Sequence, residues 1–572
     1  MYDTDMTKLN SSLAMAYHQR TKYAPETLAN KGQGLDWSKQ PSPYKEYKIG
    51  RTYDLKPYLQ DSNLINGKVN QGTAKRQQEL QNVDTEGLLF RQWQRLSEFL
   101  LCSYGLTARM ETWSGTPMYL RAAPSAGGLY PAEVYLISGG SPLLPAGLYS
   151  YQVQHHTLVS FWEDQEVWSK LKTACFHHQD LEKTSLAVVT SAIFYRSAWR
   201  YEARAYRRIF LDTGHLLGNL SLAANAVGFR VSLIGGFVDH LVNELLFLDE
   251  ALEGVISILP LVDLADHAPL CMEPEALPLS KAEPLGTSTH AQFTALASPV
   301  ATKVPNLEDG DLIPALHQAS AIEINASFAD IYRSQWSREI VPDVNSANST
   351  NEEPSGNNPP WDKYNFPFCT KVKTNTDPFS WGEDLIDLSK TILRRRSTRE
   401  YSGAPLDWQE LCQVLDFTYQ PHHYEMQGLD DHPDFFDLSL IETFVAVSAV
   451  DGLESGCYYY APRAQELRQI RFKQFRRELH YLCLGQDLGK DAAVVMFHTA
   501  DLNLAVQKYG ERAYRYLHMD AGHLGQRMNL AAINLGLGVS GIGGFFDDQV
   551  NELLGIPEAE AVLYITTLGM AR

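Results

Sequence analysis

Residues 509–554 read YGERAYRYLHMDAGHLGQRMNLAAINLGLGVSGIGGFFDDQVNELL, and residues 201–246 read YEARAYRRIFLDTGHLLGNLSLAANAVGFRVSLIGGFVDHLVNELL. The two stretches align without a gap at an offset of 308, with 25 identities in 46 positions. A repeat of this length sets the architecture before any other signal is read, because each copy is a folding unit of its own. Upstream the offset is near 309: PAGLYSY (145–151) answers ESGCYYY (454–460), and Glu133-Val-Tyr135 answers Glu442-Thr-Phe444. Downstream, GVISILPL (254–261) answers AVLYITTL (561–568) as a closing strand. The copies therefore span 81–261 and 385–572.

Each copy reads as an amphipathic helix (near 90–104 and 406–419), a strand, a tyrosine-rich strand or hairpin, and a helix. A β-branched strand (185–194 and 492–500), a long helix and a final strand follow. This order predicts an α+β fold. Between the copies, residues 262–384 are rich in Pro, Ser and Asn, and NSANSTNEEPSGNNPP (345–360) has no large apolar side chain. That composition suits a connection, with a short helix expected over LIPALHQASAIE (312–323) and packed on a domain. Residues 1–80 read as an irregular N-terminal arm.

The chain has 572 residues, 44% of them apolar and 20% charged, enough for several packed domains. Its 49 basic and 68 acidic side chains give a net charge of −19, which excludes nucleic acid and anionic membranes as natural partners. The start MYDTDMTKLNSS has no secretory pattern and no run of about eighteen apolar residues occurs, so a cytoplasmic location is expected. Cysteines 102, 175, 271, 369, 412, 457 and 483 stand singly, which argues against disulfides and structural zinc. His422, His423, Asp430, Asp431 and His432 are irregularly spaced in a polar stretch and read as a solvated loop, so no metal site is expected.

Three motifs carry chemistry. Arg394-Arg395-Arg396-Ser397-Thr398-Arg399-Glu400-Tyr401 places four guanidiniums and two hydroxyls in six residues at the end of a helical stretch. Arginine forks and a serine hydroxyl suit phosphate oxygens, although an exposed basic patch at a helix C-terminus has the same composition. Gly536-Leu-Gly538-Val-Ser-Gly541-Ile-Gly543-Gly544 contains a formal G-x-G-x-x-G, but it follows a long helix instead of a strand, so a dinucleotide fold is not expected. Its later glycines still let backbone N–H groups approach a flat ligand. Arg121-Ala-Ala-Pro124-Ser125-Ala126-Gly127-Gly128-Leu-Tyr130-Pro131 is a tight loop before a strand. Gly214-His215 and Gly522-His523, in mid-helix, read as interface packing.

The run RRRSTREY, the loop APSAGGLYP and the stretch KYGERAYRYLHMDAGHLGQ...LGLGVSGIGGF resemble the nitroreductase superfamily, specifically its SagB/ThcOx-type dehydrogenases. The N-terminal YHQRTKY...LDWSKQPSPYK is similar to the lead-in of long members. The resemblance implies two tandem nitroreductase-like α/β sandwich domains forming an intramolecular pseudo-dimer through long helices, with FMN at the interface. It also implies that one copy supplies the phosphate-binding arginines and glycine loop, and the other the Pro-Ser loop.

The copies have complementary defects. Opposite Arg395, Ser397 and Arg399, copy one has LQNVDTE, with Leu80, Asn82 and Asp84; opposite Pro124–Gly128, copy two has Pro433-Asp434-Phe435-Phe436-Asp437. Two phenyl rings and two carboxylates would exclude an anionic flavin by size and charge. One FMN site per chain is therefore expected, built from Arg395, Arg396, Ser397, Arg399 and Gly541-Ile542-Gly543-Gly544 of copy two with Pro124, Ser125, Ala126, Gly127 and Gly128 of copy one.

The resemblance marks Lys508-Tyr509 as the catalytic pair, Lys508 ahead of a helix whose positive end would make it a better base; copy one has Arg200-Tyr201, and arginine cannot act as a base. The favoured activity is oxidation of azoline rings of a modified peptide to azoles, with biosynthetic partner proteins, by a monomer with an internal pseudo-dimer or a dimer of these. NAD(P)H-dependent reduction of nitro compounds or quinones is the first alternative, and a flavin-free scaffold the second.

Overall fold

The computed structural model describes residues 12–29, 34–59, 85–111, 115, 117–264, 294–301, 304–323, 362–430 and 433–572. Leu80, Asn82, Asp84, Cys271, Asp431, His432 and the 345–360 run lie outside them.

Each copy builds one seven-stranded sheet. In copy one the order across the sheet is Arg51–Asp54, Thr157–Glu163, Gly147–Gln152, Ala132–Ser138, Leu186–Ile193, Glu253–Asp263, Phe229–Val231. In copy two it is Lys371–Lys373, Glu466–Arg471, Gly456–Ala461, Glu442–Val447, Val494–Asp501, Glu560–Gly569, Gly538–Ile542. Neighbouring strands run antiparallel in both, as in the registers Tyr135↔Val189 and Phe444↔Phe497. Central strands such as Ala132–Ser138 and Glu442–Val447 are buried along their whole length, because helices cover them. The fold is α+β, with two domains of the same strand order in tandem.

The long helices Ala205–Ala226 and Ala513–Asn534 cross between the sheets, and almost every side chain on both is buried. Their buried side chains include arginines, aspartates and histidines, so the interior they form contains polar and charged groups as well as apolar ones. Gly214 and Gly522 mark the crossing: a β-carbon on Gly214 would stand 2.2 Å from the Met519 carbonyl oxygen, and one on Gly522 2.2 Å from that of Leu211. Two further contacts repeat across the pair at the sequence offset of 308. Asp239 takes Arg512 and Arg515, each at 2.7 Å, and Asp547 takes Arg204 and Arg207, each at 2.8 Å. These pairs are buried, so removing one partner would leave the other charge uncompensated.

The lead-ins to the copies are more regular than the sequence suggests. Arg51–Asp54 and Lys371–Lys373 add an outer strand to their sheets, and Lys45 and Lys363 reach Glu253 and Glu560, each at 2.6 Å. The structural unit thus begins upstream of 81 and 385; these short straps carry too few apolar residues for periodicity to reveal them. Helix Leu13–Arg20 lies between the copies, with Tyr17 edge-on to the equivalent rings of Tyr206 and Tyr514. Its first turn is capped by Glu511, which accepts from Ser12 Oγ and from the backbone N–H of Leu13 and Ala14. Helix Leu312–Ala319 of the connection also docks, His317 packing on Phe194 of copy one and accepting from Arg515 of copy two through its carbonyl. Among the described residues no helix is long and apolar enough to cross a membrane.

Candidate active site

The copy-two half starts where helix Ile386–Arg394 ends. The Thr398 N–H donates to the Val539 carbonyl at 2.8 Å, and the Val539 N–H donates to Thr398 Oγ1 at 3.0 Å. These bonds lay the arginine-serine run beside strand Gly538–Ile542, which leads into Gly543-Gly544. Arg395 turns into copy one, donating from Nε to the Ala122 carbonyl at 2.8 Å. Its side chain is buried, Nη1 has no partner, and burial pushes its pKa down to about 10. A desolvated guanidinium with a free N–H is a ready anion donor. Arg396 is committed elsewhere, donating to the Leu393 and Thr107 carbonyls, while Ser397 is half-buried and Arg399 exposed.

The copy-one half is the loop Pro124–Gly128. Ser125 Oγ donates to Asp212 at 2.5 Å, the Ala126 N–H donates to the same carboxylate at 3.1 Å, and the Tyr130 N–H donates to Ser125 Oγ at 2.9 Å. Burial in the long helix raises the Asp212 pKa to about 7 against these bonds. Gly127 has φ +66° and is exposed, so the loop offers bare backbone to solvent. A β-carbon there would stand 2.8 Å from Tyr201 Oη and 3.4 Å from Arg200 Nη1. The Arg208 guanidinium lies 3.8 Å above the Tyr201 ring, and its Nη1 is 2.4 Å from where a Gly543 β-carbon would sit. Arg395, Pro124–Gly128, Tyr201, Arg208 and Gly543-Gly544 thus close one ring drawn from both copies. Gly541 is exposed and Ile542 buried, on the strand that enters it.

The pseudo-symmetric position is filled. Phe436 stacks on Tyr516, and a β-carbon on Gly235, the counterpart of Gly543, would stand 2.2 Å from its ring. Asp520, the counterpart of Asp212, accepts the Phe436 and Asp437 N–H groups, so the same aspartate holds a different loop. The connection completes the plug. Thr294 accepts from the Gly235 N–H, Leu296 packs on Gly236 and exchanges hydrogen bonds with Tyr516 Oη, and Ser298 accepts through Oγ from the Arg512 N–H.

Lys508 and Tyr509 stand at this filled position, apart from the ring around Arg395. Lys508 Nζ lies 2.5 Å from Asp437, and Tyr509 Oη donates to the same oxygen at 3.0 Å. Lys508 occupies the last turn of helix Leu502–Tyr509, two residues before the helical turn Gly510–Arg512 that leads into helix Ala513–Asn534. The expectation that this pair shares a site with Arg395 and Gly127 is therefore corrected. In a two-fold arrangement the pair nearest the Pro-Ser loop comes from the loop's own copy, and that pair is Arg200-Tyr201. Burial raises the Tyr201 pKa against the opposing pull of Arg208 and Arg200, so its phenol is protonated at neutral pH. Sequence reading set Arg200-Tyr201 aside because arginine cannot be a base. Arg208 and Asp212 also escaped it, although the repeat aligns Arg208 with Tyr516 and keeps Asp212 as Asp520. Among the described residues no group of three or more His, Cys, Asp or Glu is placed to hold a metal ion.

Comparison with known proteins places the whole. Residues 94–261 and 392–570 each match the model of the nitroreductase family. Two proteins named "putative nitroreductase" are similar to this chain. The crystal structure of one, from Anabaena variabilis ATCC 29413, is 54% identical over 98% of this chain and 100% of its own, with a TM-score of 0.82. The other, from Methanocaldococcus jannaschii, is 33% identical over 31% of this chain and 89% of its own length. The trifolitoxin-processing protein TfxB of Rhizobium leguminosarum bv. trifolii is 30% identical over 24% of this chain, which spans 38% of that protein. With the same family matched twice along one chain and a full-length likeness at 54% identity, this protein belongs to the nitroreductase family.

Proposed function

We propose that the chain is an FMN-dependent oxidoreductase with one flavin per chain, held in the ring that both copies build. The observation that carries this reading is Arg395: a buried guanidinium whose Nη1 has no hydrogen-bond partner and which pairs with no carboxylate among the described residues, joined to the loop that presents bare glycine backbone. A phosphate monoester would satisfy it, with Ser397 and Arg399 as further donors. The glycines of Pro124–Gly128 and Gly541–Gly544 leave room for a flat ring system. Arg396, tied to two carbonyls, supports the run rather than the ligand.

When bound, the flavin supplies hydride transfer. The chain's own contribution is a protonated Tyr201 and a charged Arg200 at Gly127. Neither takes a proton at neutral pH; both donate hydrogen bonds, and Tyr201 Oη can give a proton to a substrate oxygen that is gaining negative charge. This donor set favours the reductive direction: a quinone, NAD(P)H and one proton give a hydroquinone and NAD(P)+. Oxidation of a peptide azoline, with the electrons passed to oxygen, is the second reading. The likeness to a trifolitoxin-processing protein favours it, but it needs a base, and Lys508 stands at the filled position.

The test is the flavin released per chain from denatured, FMN-saturated protein, followed by turnover. A ratio near one with NAD(P)H-dependent quinone or nitroaromatic reduction supports the reading. A ratio near two would mean that the Phe436 and Leu296 plug yields to flavin. No flavin would remove the oxidoreductase assignment, and azoline oxidation without reductase turnover would select the second reading.

A further inference from the structure

Arg200 and Lys508 occupy equivalent places in the two copies, but their surroundings differ by one charge. Lys508 is neutralised by Asp437 at 2.5 Å, and at the offset of 309 the residue matching Asp437 is Gly128. Arg200 is exposed in the last turn of helix Phe194–Tyr201. Its guanidinium lies 5.6 Å from the centre of the Tyr201 ring, and its Nη1 is 3.4 Å from where a Gly127 β-carbon would sit. Asp212 of the long helix, the carboxylate that holds this loop, is already bonded to Ser125 and Ala126. In a chain of net charge −19, Arg200 and Arg208 both lie against Tyr201, and Arg395 of the same ring has Arg399 beside it. Such a cluster attracts anions to the place where the reaction occurs.

We propose that Arg200 is a specificity residue that binds a carboxylate of the substrate, so the enzyme acts on electron-poor molecules bearing an acid group. The inference rests on the composite site described above. An exposed planar guanidinium, with no ion-pair partner among the described residues, makes two parallel hydrogen bonds to a carboxylate without first breaking an ion pair. Arg395 lies across the ring, bound to Ala122 and buried, and suits the cofactor's phosphate, so the two arginines divide the anions between them. The same position in copy two, already holding Asp437, has no charge left for a ligand.

The probes are 4-nitrobenzoate and its neutral isostere 4-nitrobenzamide, titrated by calorimetry into the full-length, flavin-loaded protein and assayed with NAD(P)H. The wild type should bind the acid at least about tenfold more tightly than the amide, a preference that shrinks as salt is raised. Arg200→Gln should equalise the two by weakening binding of the acid and raising its KM relative to that of the amide, and Arg200→Lys should keep part of the preference. The flavin ratio of each variant, unchanged at one, verifies that the site is intact. Equal binding of acid and amide by the wild type, or a preference that survives Arg200→Gln, overturns the inference while leaving the flavin site standing. Absence of flavin in the wild type overturns both.

Discussion

Arg395 of the second copy donates to the carbonyl oxygen of Ala122 in the first at 2.8 Å, two residues ahead of Pro124. One bond thus joins the two sequence motifs that were read separately. Arg395→Gln keeps a donor for that carbonyl but removes the charge. Charge-assisted bonds are worth about 1.5–3 kcal/mol, so FMN affinity should fall roughly 10- to 100-fold. Flavin retained after gel filtration measures this, and an unchanged thermal midpoint separates it from unfolding. Full flavin content in the variant would show that the phosphate binds elsewhere.

The plug at the equivalent position invites the opposite experiment. Phe436 is buried against Tyr516 and Gly235, and cutting it to alanine should cost about 3–5 kcal/mol by loss of packing. Flavin per chain should stay at one in Phe436→Ala, because Leu296 and Asp434 still close the space, Asp434 through the Leu233 N–H at 2.6 Å. A ratio rising toward two would show that the ring of Phe436 alone excludes the cofactor.

The helix crossing is a test of the pseudo-dimer. A methyl group on Gly522 would meet the Leu211 carbonyl at 2.2 Å, a backbone atom that cannot rotate away. Gly522→Ala should cost about 1–3 kcal/mol through forced separation of the helices, and Gly522→Val more. Gly310→Ala, with open space around its α-carbon, is the control. Equal thermal midpoints for the two alanine variants would contradict the crossing.

Fold and half-sites were legible because a repeat with 25 identities in 46 positions leaves little freedom. The assignment of Arg395 and Gly543-Gly544 to one half of a site and Pro124–Gly128 to the other comes from the family resemblance, joined to the complementary defects of the two copies. The placement of Lys508 was not legible. Its position relative to Arg395 depends on which copy's long helix faces which loop, and that is a property of the two-fold arrangement, with no trace in local sequence. The straps at Lys45 and Lys363 were missed for another reason. Each contains a strand of only three or four residues, below the length at which periodicity carries information.

That placement makes a pair of variants decisive for the chemistry. Lys508→Ala removes an ion pair at the filled position and should change turnover less than about twofold, since exposed pairs contribute little. Tyr201→Phe removes the phenol beside Gly127 and should lower kcat by about 10²-fold or more if it supplies a proton. Reversed effects would return the chemistry to copy two.

Asp212 offers a check that needs no substrate. Its pKa is raised from the ordinary aspartate value of 3.8 to about 7, by burial first, while the bonds from Ser125 and Ala126 pull the other way. Between these values the unfolded chain has lost the proton and the folded chain keeps it, so folding is progressively penalised as pH rises. By linkage this loss is about 1.4 kcal/mol per pH unit, and it stops above about pH 7, where both states are ionised. Asparagine at 212 stays neutral throughout and can still accept from Ser125 and Ala126. Against the wild type, Asp212→Asn should therefore gain stability steadily from pH 5 to pH 7 and then level off, read as the difference in unfolding midpoints at each pH. Asp520, raised to about 7 in the same way, remains in both proteins and cancels in that difference. A difference independent of pH would mean that Asp212 is ionised in the folded protein, so that the Pro-Ser loop is held by a full negative charge, which would oppose rather than admit an anionic cofactor.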